Sequence, residues 1–229
     1  SISRLKTKMP WGIAVPGDEE HVMYVWFDAL TNYINTLGWP DEGGKENKFE
    51  KYWVNGTPTQ YCGKDNTRFQ AAMWQAMLMA AGVPNSYQIV VNGFITGDGG
   101  IKMSKSLGNV IDPREIVNEY GTDALRFFLA KEISNFEDSP FTAERFKDAY
   151  NAGLANGLGN LTSRIMKMAT VNKISIVNLP SYEEALEIDN MDGSARFKVA
   201  LEKFEIKHAM DLLWGRIKLL DATIQLEQP

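Results

Sequence analysis

Three short apolar runs recur along the first hundred residues with helical stretches between them: Val22-Met23-Tyr24-Val25-Trp26-Phe27, Thr59-Gln60-Tyr61-Cys62 and Gln88-Ile89-Val90-Val91-Asn92-Gly93. β-Branched and aromatic runs of this length read as buried strands. Strands that alternate with helices are joined by crossovers, which gives a parallel sheet with helices packed on it. Ligands of such sheets meet the carboxyl ends of the strands. Asp28, the turn Gly63-Lys64-Asp65, and Asn92 with Gly93 all fall at those ends. Asp28 is expected to cap a helix beginning near Ala29. A second helix is expected over 66–81, stopped by Gly82 and Pro84. The first twenty residues read as an extended lead-in closed by the turn Pro16-Gly17-Asp18, and residues 39–57 as a polar surface insertion.

After Pro113 the pattern changes. Helical periodicity predicts helices over 113–119, 122–131, 142–170 and 194–226, with one strand near Lys173–Val177. The fold class is therefore α/β with parallel strands, followed by an all-α helical bundle, with Asn135–Pro140 as the hinge. The boundaries drawn from this reading are 1–98, 99–140 and 141–229.

Composition excludes several classes. A net charge of −5 over 229 residues gives no global basic signature, so any RNA surface must be a local patch. One cysteine, Cys62, makes no internal disulfide and fits a reducing, cytoplasmic setting. With only His21 and His208 beside it, no zinc site is expected. No run of 18 apolar residues suits a membrane span. The sequence begins at Ser1 with no signal peptide, which is the start expected of a piece of a longer protein.

Between the third strand and the helical half lies Gly99-Gly100-Ile101-Lys102-Met103-Ser104-Lys105-Ser106-Leu107-Gly108-Asn109. Lys102 and Lys105 stand three apart in a loop softened by Gly99, Gly100 and Gly108. Such a loop can swing and close two ammonium groups on a polyphosphate, where charge develops on a leaving group. Elsewhere the residues leave alternatives open. Trp26, Ala29 and Tyr33 suit a thioether pocket, through apolar burial and sulfur–aromatic contact, and equally suit a core at a strand–helix junction. Asp65 can accept from ribose hydroxyls or cap a helix. Asn160 and Arg164 lie four apart on one helix face, a solvated face unless RNA meets it. His208 reads as a bundle residue without chemistry.

The pentad at 102–106 resembles the KMSKS signature of class I aminoacyl-tRNA synthetases. The resemblance extends through Trp11–Asp18, the segment VWFDALTNYI at 25–34, Gly63-Lys64-Asp65 and YGTDALRFFL at 120–129. Leucyl, isoleucyl and valyl enzymes share KMSKS and the YG.DALR segment; the WFDA..NY and GKD pair is that of the methionyl family. Resemblance to that family implies the second half of a Rossmann-type catalytic domain, a KMSKS and stem-contact region, and a truncated anticodon-binding bundle. It implies ATP-dependent activation of methionine and transfer to tRNA(Met), with magnesium accompanying the triphosphate.

By the same resemblance, Lys102 and Lys105 are catalytic. Trp26, Ala29, Tyr33, Asn66 and Gln70 line the methionine pocket. Gly63, Asp65, Asn92, Gly93, Lys102, Met103, Ser104 and Lys105 bind ATP, and Asn160 and Arg164 read the anticodon. The chain departs from the family at Gln70, usually histidine, at Asn66, usually aliphatic, and at Leu30, often proline. It also lacks the HIGH tetrad, so a fragment inactive by itself is expected. The rival readings are a class I enzyme for leucine, isoleucine or valine, and a tRNA-binding module without catalysis.

Overall fold

Residues 3–40, 47–104, 107–174 and 192–227 are described by a computed structural model. The chain forms two compact units, Ser1–Asn92 and Gly93–Pro229.

In the first unit, β1 (Ser3–Leu5) and β2 (Ala14–Val15) flank β3 (Asp18–Met23) in an antiparallel sheet. This corrects two expectations. The lead-in contains strands, and the strand read at Val22–Phe27 starts at Asp18 and ends at Met23. The charged residues Glu19, Glu20 and His21 mask it in the sequence. Its register comes from the tight turn at Gly17, whose φ of 79° suits glycine, and from backbone pairing such as Arg4 with Val22. Trp26 consequently opens a helical turn, α1 (Trp26–Ala29), instead of closing a strand. Asp28 lies inside that turn, which has no side-chain cap, so its expected capping role is also corrected. A second turn, α2 (Asn32–Asn35), follows.

The other two strands are where the sequence put them. β4 (Thr59–Gly63) and β5 (Gln88–Asn92) pair in parallel, Thr59 opposite Gln88 through Gly63 opposite Asn92. Their crossover is a π-helical stretch, Arg68–Met73, that continues as α3 (Trp74–Ala80) and ends at Gly82 with φ 69°. The core joins Leu30, Ile34, Trp53, Trp74, Leu78 and Val83. Trp53 lies in a π-helical stretch, Glu50–Val54, within the supposed surface insertion, and its indole N–H donates to Pro84 O at 2.9 Å. Trp39 and Phe49 of the same segment pack against this core beside Trp53, and each fully buried large apolar side chain contributes about 1.5–3 kcal/mol, enough to draw a polar segment inward.

In the second unit, β6 (Ile95–Thr96) pairs in parallel with β7 (Ser139–Pro140). Helix α4 (Pro113–Tyr120) starts with proline in its first turn and Asp112 accepting from Arg114 N at 2.9 Å. α5 (Thr122–Lys131) follows, and α6 (Ala143–Ala149) is capped by Thr142, whose hydroxyl accepts from Arg145 N at 3.1 Å. Phe128, Phe141 and Phe146 meet in the core with ring centroids 4.9 to 5.8 Å apart. A π-helical stretch, Tyr150–Gly159, runs into α7 (Asn160–Val171). The helix expected over 194–226 is two: α8 (Asp192–Glu202) and α9 (Ile206–Glu227), separated at Phe204, whose φ is 59°. Lys173 and Ile174 form no strand, and residues 175–177 of that expectation lie outside the described residues.

The segment read as a hinge is pinned. Gly93 N donates to Asn135 O, Phe94 N to Asp138 Oδ1, Ser139 N to Phe94 O, and Lys207 N to Asn135 Oδ1, all at 2.8 to 3.1 Å. Ser, Asn and Asp read as loop residues because their side chains compete for backbone groups; here that same capacity stitches the segment down.

Two glycines of this unit should respond oppositely to alanine. At Gly153 a Cβ would stand 2.4 Å from Phe127 Cζ, with Phe127 itself buried against Trp214. At Gly215, in the middle of α9, nothing lies within 4 Å. Denaturant unfolding should show Gly153→Ala destabilised by about 1–3 kcal/mol from overpacking. Gly215→Ala should be stabilised by about 0.5–1 kcal/mol from reduced chain entropy.

Candidate functional site

Each unit carries its own part of the candidate residues. In the first, β4 and β5 end side by side, and the backbone N–H of Lys64 donates to Asn92 O at 3.0 Å. That bond folds Gly63-Lys64-Asp65 over the carboxyl ends of both strands. Gly63 leaves room for it: a Cβ there would stand 3.0 Å from Asp65 Oδ1. Asp65 is exposed, and Asn66 begins the crossover by accepting from the N–H groups of Phe69 and Gln70, each at 3.0 Å. The helical stretch after the turn has Thr67 at its N-terminal boundary with no side-chain cap. Cys62, buried beside this turn, has its thiol pushed up by burial, with a hydrogen bond from Thr67 opposing and the Asp65 charge reinforcing the shift. That thiol is not poised as a nucleophile.

Behind the turn, the helical stretch presents Phe69 and Gln70 to residues of α1 and α2. Trp26 stacks on Phe69 at 4.6 Å with the rings 12° from parallel. Trp26 Nε1 donates to the Tyr24 hydroxyl at 3.1 Å. Arg4 lies 4.2 Å from the Tyr24 ring centroid, and its hydrogen bond is the main cause that lowers the pKa of that phenol. Gln70 is buried and donates from Nε2 to the Tyr33 hydroxyl at 2.9 Å, while Gln60 Nε2 donates to Gln70 Oε1 at 2.6 Å. The Tyr33 ring also meets Trp74 at 5.9 Å. Trp26, Tyr33, Asn66 and Gln70 are thus linked through the one helical stretch; Ala29, exposed, belongs to the same turn as Trp26. A neighbouring apolar concavity of about 820 Å³ is lined by Trp11, Ile13, Met23, Val25 and Phe27 among others, with Asp28 on its wall.

In the second unit the lysine loop leaves β6. Gly97 N donates to Ile101 O at 2.7 Å, and Lys102 bridges Thr96 in antiparallel fashion. Gly99, Gly100 and Gly108 take φ of 64°, 75° and 64°, conformations that disfavour any side chain. The ammonium of Lys102 lies 4.0 Å from the Phe94 ring centroid, a cation–π contact. Met103 packs on the core of this unit. Ser104 N donates to Asn109 Oδ1 at 2.8 Å, and Asn109 Nδ2 donates to Lys102 O at 3.4 Å. The loop read as free to swing is clasped across its neck by one amide. Lys105 and Ser106 lie outside the described residues. Gly93, one residue past β5, is required by close approach: a Cβ there would stand 2.1 Å from Glu137 O.

Asn160 and Arg164 share α7 as expected. Asn160 is exposed. Arg164 Nη1 donates to Asp221 Oδ1 of α9 at 2.8 Å, and Gln225 Nε2 donates to the other carboxylate oxygen at 2.9 Å. A guanidinium has five N–H donors, so this bond orients its plane without exhausting it.

Gln60, Asn109 and Asp221 were missed by sequence reasoning. Gln60 leaves a trace: Gln60 and Cys62 are buried while Tyr61 between them is exposed, so the strand's alternation puts an amide on its covered face. Asn109 and Asp221 leave none, being a loop Asn and a helix-face Asp.

Among the described residues, no three His, Cys, Asp or Glu side chains converge as metal ligands, and no helix is long and apolar enough to cross a membrane. The family model for tRNA synthetases class I (M) matches residues 1–166. A methionine–tRNA ligase of Caldanaerobacter subterraneus is 38% identical over 227 residues, covering 96% of this chain and 35% of the relative. One of Nostoc is 39% identical, covering 100% of this chain and 43% of the relative. Mycobacterium tuberculosis methionyl-tRNA synthetase in complex with methionyl-adenylate superposes with a TM-score of 0.79 at 33% identity, covering 100% of this chain and 44% of that one. The chain therefore spans less than half the length of these relatives. The likeness also establishes the fold class read from the sequence, a Rossmann-type α/β portion followed by helices.

The clasp gives a local test. Asn109→Ala removes the acceptor of the Ser104 amide, and one hydrogen bond contributes about 0.5–1.5 kcal/mol. Hydrogen exchange at the Ser104 amide should accelerate roughly 2- to 12-fold, with exchange in α5 unchanged.

Proposed function

The chain belongs to the class I (M) tRNA synthetase family, and on that premise we propose that it is part of a cytoplasmic methionine–tRNA ligase. The methionine carboxylate attacks the α-phosphorus of magnesium-bound ATP, forming methionyl-adenylate and expelling pyrophosphate. A terminal ribose hydroxyl of tRNA(Met) then attacks the activated carbonyl, forming the ester and releasing AMP. The observation that carries this reading is the reach of the family match over residues 1–166, which takes in the Gly63-Lys64-Asp65 turn, the lysine loop and Asn160 with Arg164.

The geometry within each unit supports the roles. Gly63, Asp65 and Asn92 close two parallel strand ends, where a nucleoside meets such a sheet; Gly93 is assigned to the same substrate. Trp26, Ala29, Tyr33, Asn66 and Gln70 are assigned to methionine, in surroundings of stacked aromatics with a few fixed polar atoms. Lys102, Met103, Ser104 and Lys105 are assigned to the triphosphate, where positioning and charge neutralisation supply most of the rate. Asn160 and Arg164 are assigned to the anticodon, whose unstacked bases are read by amides and guanidinium planes. The regions so assigned are 1–98, 99–140 and 141–229.

Two tests use the complete protein. Lys105→Ala should lower kcat and kcat/KM for adenylate formation together, by about 100- to 1,000-fold, because the lysine engages pyrophosphate as charge develops. Pre-steady-state kinetics decide this, and a raised ATP KM at unchanged rate would make Lys105 a uniform binder. Arg164→Ala and Asn160→Ala should leave methionine activation unchanged and lower kcat/KM for tRNA roughly 5- to 150-fold. Aminoacylation with native and anticodon-substituted tRNA measures it; unaltered discrimination would make these two residues a solvated face.

A further inference from the structure

Arg164 and Asp221 meet across two helices whose own contacts fix how they lie together. In α9, Trp214 and Asp221 stand seven residues apart, two turns along one face. Trp214 Nε1 donates to Gly153 O at 3.2 Å, and its ring centroid lies 4.8 Å from that of Phe127. Gly153 belongs to the π-helical stretch that runs into α7, so this contact lays α9 along the continuous helix that carries Arg164. Nearer its start, α9 is tied to α5, where Lys131 Nζ meets Asp211 Oδ1 at 2.6 Å. Asp221 is therefore presented to α7 by a frame that does not depend on Arg164.

The Asp221 carboxylate is held at both oxygens. Oδ1 accepts from Arg164 Nη1 at 2.8 Å, and Oδ2 accepts from Gln225 Nε2, one turn further along α9, at 2.9 Å. Arg164 gives it Nη1 alone, and its other N–H groups make no hydrogen bond among the described residues. The side chains of Arg164 and Asp221 are 40% and 33% exposed. An ion pair this exposed adds little to stability. What it removes is freedom: an arginine without a partner samples many rotamers, and most of them are lost when a ligand orders it.

We propose that Asp221 is a positioning residue for anticodon reading: it orients the Arg164 guanidinium before tRNA arrives, so that the remaining donors meet an unstacked base without a further ordering cost. The inference rests on the anticodon reading of Arg164 above. Asp221 acts through Arg164, and it is the geometry of its carboxylate that matters. An asparagine there keeps an oxygen for Arg164 Nη1, and the exposed Gln225 can turn its amide to accept from the new NH2 group. An alanine keeps neither.

The complete protein is assayed for aminoacylation of native and anticodon-substituted tRNA(Met), with the melting temperature recorded beside it. The readout is discrimination, the ratio of kcat/KM for the two tRNAs. Asp221→Ala should lower that ratio about 2- to 12-fold, the ordering cost of one long side chain. Asp221→Asn should keep the parent's ratio. In an Arg164→Ala background, Asp221→Ala should lower the ratio no further, because its effect passes through the guanidinium. A merely structural role would lower charging of both tRNAs and leave their ratio alone. If Arg164→Ala lowers the ratio and Asp221→Ala keeps it, the inference is overturned and the anticodon reading stands. The same holds if Asp221→Ala lowers it equally without Arg164, or if Asp221→Asn loses as much as Asp221→Ala. If Arg164→Ala keeps the parent's ratio, the anticodon reading falls and the inference falls with it.

Discussion

The parallel pairing of Thr59–Gly63 with Gln88–Asn92 is the constraint on which the first unit depends. A parallel pair needs a crossover, and here the crossover is the helical run from Arg68 to Ala80. The ladder therefore sets two things at once. Its carboxyl ends bring Gly63-Lys64-Asp65 beside Asn92, held by the Lys64 to Asn92 bond. Its covered face brings Gln60 under the crossover, where it meets Gln70 and through it Tyr33. A slip of one residue would turn Gln60 outward and Tyr61 inward and break both.

This ladder was legible in the sequence because its signals agree. Val90 and Val91 favour a strand, Gly63 ends one, and Gly82 with Pro84 stops the intervening helix. The antiparallel sheet was not legible, since Asp18, Glu19, Glu20 and His21 fill β3 with residues of low strand propensity. Backbone pairing on both sides overrides propensity there. The shift moved Trp26 from strand end to helix start, yet left it stacked on Phe69. The contact of Trp26 with Phe69 thus does not depend on which element carries Trp26.

The polar residues that organise the candidate site were the hardest to read. Sequence patterns score Gln60, Asn109 and Asp221 as ordinary surface types. Their roles exist only through long-range partners: Gln70 ten residues away, the loop neck that Asn109 closes, and Arg164 on another helix. The glycines show the same limit. Gly93 is required by the Glu137 carbonyl 44 residues on, and Gly153 by the Phe127 ring. Nothing adjacent in sequence distinguishes either from Gly215, where an added Cβ would meet nothing within 4 Å.

The central claim is that these residues serve methionine activation, and amino-acid dependence of ATP–pyrophosphate exchange tests it most directly. The complete protein is assayed with methionine, leucine, isoleucine and valine at matched concentrations. The account predicts exchange with methionine, with the branched amino acids near background. Exchange driven as well by a branched aliphatic amino acid, or by none of the four, would contradict it.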